Sequence, residues 1–365
     1  MKTLSEITQV CHAPDAGTLV NTTQNYVNAY DGSTTAFAAP NDLSSLMKTY
    51  YDTELLENAR PNLIHAQFAR KQPLPKGRGK KVEWRKFNTL ADASALTEGV
   101  IPTGQKFGQS SMTASILQYG TYLTVSDQLE LHAIDNVILS ATEELGASAG
   151  TTQDKLVRDT LAAGTTVQYC DKVSAAGAHT AVETRAGMDA TSKLTPTEVN
   201  KAVTTLKKLK APTINGKYVA IIHPSVSYDL RENKEWIEAH KYAAVTPLFT
   251  GEIGELHGVR FIETTEAKIW NNNTCPVKTA AASGNPAVYY SVYSTLFLGK
   301  DAFGMIDPEG GGLEMIVKSK EQAGGPLDQF STLGYKFSTA TKILYQDRMV
   351  RVESLSEYSG TDEAN

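Results

Sequence analysis

By spacing, one stretch of the chain matches a catalytic template. Gly146-Ala147-Ser148-Ala149-Gly150 has the Gly-x-Ser-x-Gly pattern that presents a hydrolase nucleophile. That chemistry needs a buried strand before the serine and a strained turn at it. Here Glu143 and Glu144 precede it within a helical stripe, so the match reads as coincidence. His223 closes an apolar run before Pro224, with Asp229 downstream as a possible orienting carboxylate; a strand-end histidine satisfied by backbone is the plainer reading. His12, His65, His132, His179, His240 and His257 show no metal-ligand spacing. Cys11, Cys170 and Cys275 form no Cys-x-x-Cys, which implies neither a disulfide framework nor a zinc knuckle and suits a reducing cytoplasm. Gly77-Arg78-Gly79 lacks the third glycine of a dinucleotide fingerprint. The expectation is no catalytic residue, no cofactor and no metal.

A second group of residues carries charge rather than reactivity. Arg70, Lys71, Lys76, Arg78, Lys80, Lys81, Arg85 and Lys86 cluster around Trp84. Such a cluster can contact phosphates or pair with acidic surfaces of neighbouring subunits. Its place at the base of a long hairpin favours the second, because complementary charge fixes register between chains. These eight and Trp84 are the candidate inter-subunit contacts. The whole chain has 365 residues and a net charge of −5, without the basic excess of a dedicated nucleic-acid binder. Any contact with DNA is expected to be weak and non-specific. Neither a signal peptide nor an apolar run long enough for a membrane span is visible, so no membrane partner is expected.

The elements that position these residues follow from periodicity. Residues 1–45 are polar and turn-rich and read as an arm that gains order only against a neighbour. Residues 46–69 are a helical lead-in, with Leu46, Met47, Tyr50, Tyr51, Leu55 and Leu56 mostly at helical spacing in a pattern that starts at Asp42. Residues 70–126 read as an extended hairpin: a strand with Val82, Trp84 and Phe87, a polar tip of about twenty residues, and a return strand from Met112 to Val125. A long helix follows in 127–194, with Ile138, Leu145, Ala149, Leu156 and Leu161 on its apolar stripe and Asp154, Lys155 and Arg158 largely off it. Over 195–298, Thr195-Pro196-Thr197-Glu198 starts a helix whose buried face runs from Val199 to Leu209. Tyr218–Ile222 and Val259–Glu263 are strands there, completing an α/β layer. Residues 299–365 close the chain with long strands, the longest spanning 335–352, and a mobile acidic tail from Ser354. The class is α+β.

The order of these parts resembles the major capsid protein fold of tailed bacteriophages, shared with encapsulins and herpesvirus capsid floors. In that family they are the N-terminal arm, extended loop, spine helix, axial domain and peripheral domain. Leu55-Leu56-Glu57-Asn58-Ala59-Arg60-Pro61, Leu96-Thr97-Glu98-Gly99-Val100, Gln118-Tyr119-Gly120, the run Gly251 to Thr264, Leu298 to Gly304, and Gly334 to Glu353 are similar to the podovirus branch. The resemblance implies a structural protein that self-assembles into hexamers and pentamers, building an icosahedral shell around double-stranded DNA. It implies scaffold, portal and decoration proteins as further partners, synthesis in a bacterial cytoplasm and residence in the virion. Two rivals are an encapsulin-like compartment and a soluble α/β hydrolase using Ser148 and His223.

Overall fold

The computed structural model describes residues 24–27, 34–37, 63–77, 79–87, 104–126, 137–174, 177–241, 252–280, 287–318 and 329–365, with isolated positions between 90 and 101 and at 322. The expected helix over 46–62 lies outside the described residues. Of the expected arm, Gln24–Val27 and Thr34–Phe37 are described and pair as antiparallel strands. The chain divides into two compact units, 1–56 with 120–146 and 313–336, and 57–119 with 147–312 and 337–365.

The larger unit is organised by a seven-stranded mixed sheet. Its centre is Tyr218–Ile222, parallel to Val259–Glu263 on one side and antiparallel to Val292–Leu298 on the other. Met349–Ser354 and Val167–Tyr169 extend it beyond Val292–Leu298. Continuous apolar runs suit strands covered on both faces. Tyr218, Ala220 and Ile222 pack with Val199, Val203, Leu206, Val226 and Leu230 of helices Pro196–Lys208 and Pro224–Arg231. Val219 and Ile221 point the other way and pack with Val157 and Leu161 of the long helix Val137–Ala162.

Helix starts are local chemistry. Thr195 Oγ1 accepts from the Glu198 amide at 3.5 Å, with Pro196 in the first turn. The expected apolar face of that helix stops at Leu206: Leu209 is exposed because it is the C-cap, beyond the last buried turn.

The long helix is continuous through Gly146 and Gly150, and its charges are not all solvated as the stripe suggests. Asp154 is fully buried, accepting from the His65 amide at 2.7 Å and from His65 Nδ1 at 2.6 Å. Arg158 is almost fully buried, bonded to the Glu266 carbonyl at 3.1 Å and to Asp159 at 2.9 Å. Burial of such groups is tolerated when each is paired and hydrogen-bonded.

The expected long strand over 335–352 is two strands, Phe330–Ile343 and Met349–Ser354. A turn separates them, in which the Leu344 and Tyr345 amides both donate to the Ala302 carbonyl. The expected mobile tail is instead tied down. Ser356 Oγ donates to the Ser225 carbonyl at 2.7 Å, and Tyr293 Oη donates to Asp362 at 2.6 Å. Asn365 accepts from the Ile269 amide and donates to the Ala267 carbonyl, both at 3.0 Å, satisfying an edge that would otherwise be open.

In the smaller unit, Glu314–Lys318 pairs antiparallel with Thr332–Lys336. There Gly334 passes so close to the segment at 121–122 that an added Cβ would sit 2.7 Å from the Thr121 carbonyl oxygen. Any side chain at 334 would part the strands.

Candidate functional site

The expected hairpin forms from Lys81–Phe87 and Gln109–Ser115, antiparallel, with Lys81 opposite Ser115 and Phe87 opposite Gln109. Its return arm is interrupted at Ile116, after which Leu117–Ser126 pairs with Phe330–Ile343 instead. Alternation along a strand sends neighbours to opposite faces. Val82 and Trp84 point inward, packing with Ala114, Ile306, Ala340 and Leu344. Gly304 makes room for the indole, since a Cβ there would meet the Trp84 ring at 3.2 Å.

Toward its tip the hairpin carries apolar side chains into solvent. Phe87 and Phe107 are 56% and 64% exposed and stack on each other with centroids 4.8 Å apart. Leu90 is 53% exposed and Ile101 93%. A concentration of open apolar groups marks an interaction surface. Each gains about 1.5–3 kcal/mol on full burial. The expected contact set had named only basic residues and Trp84. No local signal separates these four from core residues, since only the presence or absence of packed neighbours distinguishes the two.

The basic residues do not form one patch. Arg70 and Lys71 are exposed on strand Arg70–Leu74, which runs parallel to Phe303–Pro308. Lys76 and Lys80 are exposed beside a groove of about 450 Å³ bordered by Gly77, Gly79, Gly310 and Gly311. Lys81 and Arg85 face outward, with Arg85 Nε 3.6 Å from Glu83. Lys86 turns back onto its own chain, 3.6 Å from Asp347 and 4.9 Å from the Tyr345 ring centre. Trp84 corrects the expectation: it is 8% exposed and belongs to the chain's own core, because the strand's period places it on the inward face. Arg78 lies outside the described residues.

Ser148 sits exposed in the middle of helix Val137–Ala162, not at a strand-to-helix turn. His223 caps helix Pro224–Arg231, its Nδ1 accepting from the Ser225 amide at 3.2 Å. Asp229 accepts from the Glu357 amide. Asp171, His179 and Glu198 bring possible ligand atoms within 4.8 Å of one another. Lys201 already supplies the positive charge there, bonded to Asp171 and, at 2.8 Å, to Glu198.

These environments set a pH response. Burial holds His223 below its ordinary 6.5, against the opposing carboxylates of Asp362, Glu263 and Glu266. The folded chain therefore binds fewer protons at His223 than the unfolded chain does between that lowered value and 6.5. Stability from this group is present above 6.5 and is lost as pH falls through the window. Burial raises Asp229, partly offset by its hydrogen bonds, and acts oppositely: acidification toward 3.8 relieves its cost. His223→Asn keeps a capping side chain and should flatten the loss of melting temperature between pH 7 and 5. An unchanged slope would sink the assignment.

The sequence profile described as phage capsid protein matches residues 109–338, more than half of the chain. No curated protein sequence matches. The fold is similar to the capsid of cyanophage P-SCSP1u, with a TM-score of 0.54 at 16% identity over 81% of this chain and 89% of that one. It is similar to the capsid asymmetric unit of cyanophage Pam1, TM-score 0.58 at 12% identity over 91% and 99%. The capsid of Ralstonia phage GP4 gives a TM-score of 0.58 at 12% identity over 80% and 87%. At these identities the likeness is one of fold.

Proposed function

Since this chain belongs to the phage capsid protein family, we propose that it is a major capsid protein that works by self-assembly, with no catalytic step. Its subunits form hexamers and pentamers that close into an icosahedral shell around double-stranded DNA. Closed shells need heterologous contacts whose rotations close, and summed interfaces then stabilise the fold by mass action. The observation that supports this reading best is the hairpin with Phe87, Leu90, Ile101 and Phe107 in the open. A neighbouring copy buries those side chains, and the exposed Arg70, Lys71, Lys76, Lys80, Lys81 and Arg85 set its register through acidic partners.

Within this proposal residues 1–45 act as an arm, 46–69 as lead-in, 70–126 as the intersubunit loop, 127–194 with 299–365 as the peripheral region and 195–298 as the axial domain. Scaffold, portal and decoration proteins are the further partners, and the virion is the place of action. Among the described residues no helix is long and apolar enough to cross a membrane. Purified protein examined by electron microscopy and sedimentation across salt and concentration should give closed particles or capsomers. Monodisperse monomers under every condition would refute the proposal.

A further inference from the structure

Helix Pro196–Lys208 ends in Lys207 and Lys208, followed by Leu209 as C-cap and Lys210. The end is closed by two backbone bonds, Lys210 to the Lys207 carbonyl and Ala211 to the Leu206 carbonyl, both at 3.0 Å. This closure puts Lys210 in the left-handed region, φ 55°. Glycine or asparagine occupies that position with least strain; here a lysine is held in it. A second segment adds Lys300 to the same place, its amide donating to the Pro212 carbonyl at 2.9 Å.

Lys207, Lys208, Lys210 and Lys300 are all exposed. Among the described residues none of the four has a carboxylate partner, as is also true of the exposed Lys71, Lys80 and Lys81 of the hairpin region, whereas Lys172, Lys193, Lys201, Lys217 and Lys268 are each paired. The nearby Asp301 carboxylate is directed to Arg348, at 4.0 Å. Arg348 in turn donates to the Lys300 carbonyl at 3.2 Å and stacks on Tyr345 at 3.9 Å. The favourable placing of cations at a helix C-terminus accounts for Lys207 and Lys208. It does not account for Lys300, which comes from another part of the chain, or for a strained Lys210.

We propose that this lysine cluster is the surface on which the chain meets the phosphate backbone of double-stranded DNA. The identity of the polyanion rests on the shell reading above; the cluster itself does not. Protein interfaces deplete lysine at their cores and anchor on buried apolar or aromatic groups, and among the described residues the large exposed apolar group at this helix end is Leu209, 39% exposed. Four mobile point charges suit phosphates, which carry no sequence information. In a chain of net charge −5, four such contacts give weak, strongly salt-dependent attachment rather than a grip.

The test uses the purified full chain before assembly and a short labelled duplex of mixed sequence, titrated between roughly 50 and 200 mM salt. Binding should fall with a log–log slope of roughly −3 to −4, about 0.9 per phosphate neutralised. The variant Lys207→Gln, Lys208→Gln, Lys210→Asn, Lys300→Gln should lose more than roughly a hundredfold in affinity at the lowest salt, with a residual slope near zero. Lys76→Gln with Lys80→Gln, at the hairpin base, should bind as the parent does. Absence of salt-dependent binding by the parent, a parental slope in the fourfold variant, or equal loss in the hairpin-base variant would each overturn the proposal. Poor particle formation with DNA binding intact would overturn it too, by assigning the cluster to a protein neighbour. Particle formation by the parent is read separately, so failure of the shell reading and failure of this surface are distinct results.

Discussion

Phe87→Ser, Ile101→Ser and Phe107→Ser combined should yield a folded chain that no longer forms shells. In the single chain these side chains are 56%, 93% and 64% exposed, so their removal costs the fold little beyond the Phe87–Phe107 stack. Such a ring pair contributes about 0.5–1.5 kcal/mol. Across an interface the same groups gain about 1.5–3 kcal/mol each on burial. Every subunit of a closed shell repeats that loss, and assembly amplifies it. The expected readout is a near-parental melting curve together with absence of particles by electron microscopy. Normal shells from the triple variant would remove the hairpin tip from the interface. Excision of the whole segment from Arg70 to Val125 is a poorer test, because it also removes Trp84 and Val82 from the core and Arg70–Leu74 from its sheet. A shorter cut confined to 88–108 spares both.

Glu353→Gln should destabilise the chain by about 3–5 kcal/mol, the usual consequence of breaking a buried ion pair from one side. Glu353 is fully buried in strand Met349–Ser354 and accepts two bonds from Arg185, Nε at 2.6 Å and Nη2 at 2.7 Å. Arg351 Nε lies 3.0 Å from Oε1, the oxygen that also accepts from Arg185 Nη2. Arg185 also lies against the Trp270 ring at 3.9 Å, and Arg351 reaches the carbonyls of Ala162 and Gly164 at the end of the long helix. Removing the one negative charge leaves two guanidinium groups facing each other in a partly buried site. Chemical denaturation should show the lowered midpoint without a change of slope. A shift under 1 kcal/mol would mean that water reaches the site and solvates both arginines. Arg185→Gln should cost less than Glu353→Gln, since Arg351 would still neutralise Glu353.

Much of the fold was legible because its signals are local. Thr195-Pro196-Thr197-Glu198 carries its own cap, and Tyr218–Ile222 carries the unbroken apolar run of a strand covered on both faces. Both elements form where the pattern places them. The hairpin was legible as well, from alternation on both sides of a polar tip. The length of the closing strand was not. Nothing local in 335–352 marks the turn at 344–348, which depends on the Ala302 carbonyl some forty residues earlier in the chain.

The candidate site was legible in position but not in content. The basic cluster drew attention to Lys86 and to Trp84 within it, yet both turn back onto their own chain: Trp84 packs in the core against Gly304, and Lys86 lies near the exposed Asp347. The exposed apolar residues carry no sequence mark that separates them from core residues. Phe87 and Phe261 read alike, and only the presence or absence of packed neighbours tells them apart.

From the sequence alone came the α+β class and the order of elements, because periodicity and caps act over a few residues. Tertiary structure decided which charges are buried, which lysines are unpaired, and which apolar groups remain for a neighbour. Those are properties of residues far apart in the chain, such as His65 and Asp154 at a separation of 89, or Arg185 and Glu353 at 168. A local pattern tells a side chain which face it shares with its neighbours in sequence. Only the folded chain determines what that face meets.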